Sequence, residues 1–115
     1  MINPGTYNIK CPQGATFSKT FSVALDGVPK DLTGFSAALQ VRETFDSTST
    51  VVSLTNGTGI TLGGTAGTIG VVIASTATAA IPAGYYSYDL EITSGAGVRD
   101  RLLEGKFVVT PEITR

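Results

Sequence analysis

The stretch Phe35-Ser36-Ala37-Ala38-Leu39-Gln40-Val41-Arg42 decides the fold. Phe35, Ala37, Leu39 and Val41 fall on one side of an extended chain, and Ser36, Ala38, Gln40 and Arg42 on the other. Successive side chains of a strand point to opposite faces, so this alternation predicts a strand with one buried face. The same period recurs on both sides of it. Thr6 to Cys11 is a first strand, with Tyr7, Ile9 and Cys11 on one face, ended by Pro12-Gln13-Gly14. Ala15 to Leu25 is a longer one, with Phe17, Phe21, Val23 and Leu25 sharing a face. Lys19 interrupts that inward row, which predicts an edge position or a bulge.

Asp26-Gly27 is a turn signal, and Val28 to Gly34, with Pro29 inside it, reads as a crossing loop. Beyond the central strand, Thr44 to Thr50 is polar and predicts an exposed loop. Val51 to Thr55 is a short strand, and Asn56-Gly57 is the preferred pair for a two-residue hairpin turn. Gly59 to Gly67 reads as an irregular edge strand or wide loop anchored by Ile60 and Leu62. Thr68 to Ala74 resumes alternation, and Ser75 to Pro82 is the one helical piece, capped by Ser75 or Thr76 and stopped by Pro82. Gly84 to Thr93 places Tyr86, Tyr88, Leu90 and Ile92 inward, and Val98 to Thr110 is the last strand, with Leu103, Gly105, Phe107 and Val109 on one face.

About seven antiparallel strands, with a short helical turn between the fifth and sixth, predict an all-β, immunoglobulin-like β-sandwich spanning residues 1–115 as one domain. Tyr86 or Tyr88 stands where such sandwiches place a tyrosine corner, and a small barrel has the same strand count. Composition agrees: charged residues are only 15% of the 115, and 14 glycines serve the turns.

The residue inventory narrows function. With no His, Ser-His-Asp and Cys-His catalysis and His-ligated metals are excluded. Eight basic residues against nine acidic, without a cluster, weigh against nucleic acid, whose affinity rests on neutralising phosphates. Met1 to Gly5 lacks the charged and apolar regions of a signal peptide, and no apolar run has a bilayer-spanning length, so synthesis in a cytoplasm and no membrane partner are expected. Asp89 and Glu91 share a strand face, and the expected reading is a charge ladder with Arg99 and Arg101 across the hairpin rather than an acid-base pair. Gly63 to Gly67 lacks the Gly-Lys-Ser/Thr ending of a phosphate loop, and Asp26, Asp31 and Asp46 are too scattered for a calcium loop. No catalytic residue, cofactor or metal site is expected, and the chain is not expected to be an enzyme. Cys11 reads either as a small buried hydrophobe or as an intersubunit thiol.

Gln13-Gly14-Ala15-Thr16-Phe17-Ser18-Lys19-Thr20-Phe21 followed by Leu25-Asp26-Gly27-Val28-Pro29-Lys30-Asp31-Leu32-Thr33-Gly34, then Ala80-Ile81-Pro82-Ala83-Gly84-Tyr85-Tyr86-Ser87-Tyr88-Asp89-Leu90-Glu91 and Arg101-Leu102-Leu103-Glu104-Gly105, carry a resemblance over nearly the whole chain. They are similar to the N-terminal immunoglobulin-like domain of phage baseplate upper proteins, a family of tailed-phage and prophage virion proteins. The resemblance implies a structural virion protein, a tail- or baseplate-associated adaptor or attachment protein acting by docking to other phage structural proteins, as a symmetric homo-oligomer or ordered array. Small immunoglobulin-like domains also serve in capsid decoration, which is the alternative expectation. A carbohydrate-binding module, with Tyr85 or Phe45 stacking on a sugar, is a further one. The candidate partner contacts are Met1, Ile2, Asn3, Tyr7, Phe45, Tyr85, Ile113 and Arg115, with the terminal segments 1–8 and 111–115 either contacting a partner or lying along the domain.

Overall fold

A computed structural model of the chain describes residues 5–25 and 27–113. The all-β expectation holds: eleven strands form among the described residues, with one helix and one 3-10 turn at Gly64–Ala66. They are β1 (Gly5–Thr6), β2 (Ile9–Pro12), β3 (Phe17–Ser22), β4 (Ala24–Leu25), β5 (Val28–Pro29), β6 (Ser36–Arg42), β7 (Val52–Asn56), β8 (Gly59–Leu62), β9 (Thr68–Ile73), β10 (Gly84–Thr93) and β11 (Arg99–Thr110). Helix α1 (Ser75–Ala79) sits between β9 and β10, where the helical turn was expected.

Nine strands join one sheet in the order β1-β11-β10-β6-β7-β8-β9-β3, with β2 also on β11. The sheet curls until its ends face each other across the core. Phe17 of β3 meets Phe107 of β11 with ring centroids 6.4 Å apart, and Tyr7, between β1 and β2, meets Phe21 of β3 edge to face at 5.6 Å. Phe107, Leu39, Leu90, Ile92, Ile60 and Ile69 are the large, fully buried side chains that this curl encloses. Ala37, Leu39 and Val41 of β6, and Tyr86, Tyr88, Leu90 and Ile92 of β10, take the inward positions their alternation predicts.

The expectation of seven antiparallel strands is corrected in three places. First, Thr6 to Cys11 breaks into β1 and β2, and both run parallel to β11. Alternation reports which face is buried and is blind to the direction of the neighbour. Second, Asn56-Gly57 makes no hairpin: Thr55 pairs with Gly59 and Asn56 with Ile60 in a short parallel bridge. Gly57 and Gly59 both adopt positive φ, 87° and 91°, which swings the chain across rather than back, and the Asn56 side chain accepts the Ala37 N–H at 3.2 Å. β8 is therefore interior, between β7 and β9, not an edge. Third, Val28 to Gly34 is not wholly loop, because Val28 and Pro29 pair with Leu25 and Ala24. Asp26 of the turn between them lies outside the described residues.

Two local details also differ. The N-cap of α1 is Ala74, with no side-chain cap, rather than Ser75 or Thr76. In β11 a bulge opposite Leu90 and Glu91 inserts Leu102, so Leu102 is buried and Leu103 only half-buried. Lys19 lies, as expected, on an edge, since β3 ends the sheet order.

Candidate functional site

The outward side chains of β2, β11, β10, β6 and β7 line up in cross-strand rows. Lys10, Val108 and Tyr85 form one row, and Lys106, Ser87 and Arg42 the next. Thr6, Glu104, Asp89, Gln40 and Ser53 follow, then Arg101, Glu91, Ala38 and Thr55. Directly opposed, Asp89 and Glu104 would repel. The bulge at Leu102 brings Arg101 beside both, 3.4 Å from Asp89 and 3.2 Å from Glu104, while Arg99 lies 4.0 Å from Glu91. The ladder expected across this hairpin thus forms, with each β10 carboxylate beside an arginine.

A groove of about 710 Å³ opens along this face. Ser87, small among long neighbours, lies between Gln40, Arg42 and Phe45 on one side and Asn8, Glu104 and Lys106 on the other. Phe45 is 89% exposed, yet its backbone is held. The Arg42 guanidinium donates to the Ser47 carbonyl at 2.7 Å and to the Gln40 side-chain oxygen at 2.9 Å. The Thr44 N–H donates to Ser47 Oγ at 3.1 Å, and the Thr44 hydroxyl to Asp46 at 2.7 Å. Loop 44–50 is therefore a stapled turn that presents a bare aromatic ring at the rim of a polar, mixed-charge trough.

Two tyrosines support the face from beneath. The Tyr86 hydroxyl donates to the Pro82 carbonyl at 2.5 Å, tying β10 to the chain just upstream. The Tyr88 hydroxyl donates to the Tyr7 carbonyl at 2.5 Å, fastening the segment between β1 and β2 to the centre of the sheet. Burial, reinforced by Tyr7, pushes the Tyr88 phenol up to about 12 from its ordinary 10. The unfolded chain would release that proton near pH 10 while the folded protein keeps it. Between about pH 10 and 12 the folded state thus binds more protons, and stability falls as pH rises, by about 1.4 kcal/mol per pH unit. Chemical denaturation at intervals from pH 9 to 12 should show this loss in the wild type and a shallower one in Tyr88→Phe; parallel slopes would refute the assignment.

The residues singled out from sequence separate into groups. Phe45 lines the groove, and Tyr85, 78% exposed, stands on the same face beside Val108. Ile113, 92% exposed, follows Glu112, whose N–H donates to the Gln13 side chain at 3.1 Å, and does not line the groove. Tyr7 is 39% exposed, but its ring is engaged by Phe21 and by Lys19, whose ammonium lies 5.4 Å from the ring centroid. Cys11 is 0% exposed, and burial raises its thiol pKa. That burial fits the reading of Cys11 as a small hydrophobe. Met1, Ile2, Asn3 and Arg115 lie outside the described residues.

Sequence reasoning placed Arg42 and Gln40 outward without seeing that they staple the loop carrying Phe45. Local sequence also gives no sign of two long-range hydrogen bonds: the Asn8 side chain accepts the Lys106 N–H at 3.0 Å, and buried Thr78 holds α1 to the β2–β3 turn. Among the described residues, no group of three His, Cys, Asp or Glu gathers to hold a metal, and no helix is long and apolar enough to cross a membrane. Compared with known proteins, the chain matches no protein-family profile and no curated protein.

Proposed function

We propose that this chain is a structural component of a tailed-phage virion, a tail- or baseplate-associated adaptor that docks through the groove-bearing face. The observation that carries the docking half of this reading is Phe45, a bare ring on a hydrogen-bonded turn at the edge of a trough lined by both signs of charge. Interface energy concentrates in such aromatic anchors, and pre-ordering the backbone beneath one lowers the entropic cost of docking. The surrounding Arg42, Asp89, Arg101, Glu104 and Lys106 can fix register with a partner of complementary pattern.

The virion half rests on the resemblance of the Gln13–Phe21, Leu25–Gly34, Ala80–Glu91 and Arg101–Gly105 segments to baseplate upper proteins. With it goes the finer reading of the fold as an immunoglobulin-like sandwich. In that reading β11-β10-β6-β7 form one layer and β8-β9-β3 the other, joined by the β7–β8 bridge, and the Tyr86–Pro82 hydrogen bond serves as the tyrosine corner.

Gold-labelled antibody against the chain, applied to purified particles of the phage that encodes it, is expected to mark the tail or baseplate. Label over the head would replace the adaptor with a decoration protein, and unlabelled particles would end the virion reading. Phe45→Ser should leave thermal stability within about 0.5 kcal/mol, as surface substitutions do, while removing the chain from particles. Full incorporation of that variant would move the docking site elsewhere.

A further inference from the structure

We infer that β3 is a self-pairing edge, through which two copies of this chain associate antiparallel about a two-fold axis at Thr20. This rests on the backbone and side chains of the β3 edge and is independent of the docking face. Among the described residues β3 pairs only with β9, and Ser18, Lys19, Thr20 and Ser22 are exposed.

Which backbone groups are free follows from two hydrogen bonds. The Val23 N–H donates to the Gly67 carbonyl at 2.7 Å, one step beyond the β3–β9 register that ends at Ser22 and Thr68. On the other side of β9, the Gly63 N–H donates to the Thr68 carbonyl at 2.8 Å. In antiparallel sheets the residues that exchange hydrogen bonds with a given neighbour alternate along the strand. Ile69, Val71 and Ile73 therefore bond to β3, through Phe21, Lys19 and Phe17. Ser18, Thr20 and Ser22 direct their N–H and C=O groups outward, with nothing opposite among the described residues.

The side chains around Thr20 are self-complementary, and this makes a second copy the occupant. With Thr20 opposite the second copy's Thr20, Ser18 faces Ser22 and the hydroxyl row pairs with itself, a favourable cross-strand combination. On the other side of the strand Lys19 faces the second copy's Phe21, not its Lys19. A lysine on an edge ordinarily discourages pairing. Here it would meet the Phe21–Tyr7 ring pair of the second copy, as it already meets its own Tyr7 ring. A six-residue edge is about 20 Å long and buries less than a standard interface, so the dimer is weak and concentration-dependent in solution.

Crosslinking tests the register. In a hydrogen-bonded antiparallel pair, facing Cα atoms lie about 5.5 Å apart, within disulfide reach. Under mild oxidation Thr20→Cys is expected to yield a covalent dimer and Ser18→Cys, which would face Ser22, at least tenfold less; native Cys11 is buried and serves as the background. Sedimentation should show dimerisation in the wild type lost in Thr20→Pro, which removes an outward N–H and spares the bonds to β9. Equal crosslinking at both positions, or a dimer that survives in folded Thr20→Pro, overturns the proposal. A monomer that also fails to crosslink through Thr20→Cys overturns it too, and leaves the edge to a strand from another protein.

Discussion

Gly105→Ala is expected to lower the free energy of unfolding by about 3–5 kcal/mol, with denaturant titration as the measurement. A Cβ at position 105 would stand 2.5 Å from the Tyr7 carbonyl oxygen and 3.0 Å from the Asn8 side-chain oxygen. The first of these is backbone, which cannot swing aside like a flexible side chain. Relief requires the segment between β1 and β2 to lift from β11, and three things go with it. The Tyr88 hydroxyl loses the Tyr7 carbonyl, the Lys106 N–H loses the Asn8 side chain, and the Tyr7 ring leaves Phe21. A buried hydroxyl without a partner costs about 1–3 kcal/mol, and overpacking a comparable amount. A Gly105→Ala protein as stable as wild type would show that this close approach does not hold the first strands in place.

Thr78→Val should cost about 2–4 kcal/mol, seen as a melting temperature lowered by roughly 10–15 °C. Thr78 is fully buried: its hydroxyl accepts the Gly14 N–H at 3.1 Å and donates its one proton to the Ala15 carbonyl at 2.8 Å, with the Ser75 carbonyl at 3.1 Å as the other acceptor within reach. Valine keeps the shape and strips the hydroxyl, so two backbone groups of the β2–β3 turn lose their partner inside the fold. The Gln13 side chain braces the same corner, donating to the Ile81 carbonyl at 2.8 Å and accepting the Glu112 N–H. Thr78→Ser, which keeps the hydroxyl, should recover most of the loss. If valine and serine behave alike, the effect is packing and not hydrogen bonding.

These two residues mark what alternation could and could not reveal. β6, β10 and their inward rows were legible because a period of two, sustained over seven to ten residues, has only one way to bury its apolar side. The edge position of β3 was legible from one lysine in an inward row. Gly105 looked like a gap in the apolar face of β11, since nothing local reveals that the Tyr7 carbonyl, from the segment between β1 and β2, presses against it. The β7–β8 bridge was hidden because Asn56-Gly57 carries the same signature whether the chain turns back or swings across. Of the candidate site, Phe45 and Tyr85 were visible as aromatics among polar residues. The groove was not: it depends on Arg42 reaching five residues forward to Ser47 and on a bulge that relocates Arg101.

The parallel pairing of β1 and β2 with β11 has a mechanical consequence. Gly5 lies beside Leu103, and Pro12 beside Thr110, so the chain enters this strand pair at one end and leaves it at the other. Tension applied through the two ends pulls the strands along their length in opposite senses. Every hydrogen bond between them is then sheared together, whereas a hairpin pulled from its open end yields its bonds one at a time. A parallel pair of this kind resists such tension better than a hairpin does, and the Tyr88–Tyr7 bond is a cross-tie midway between those two ends.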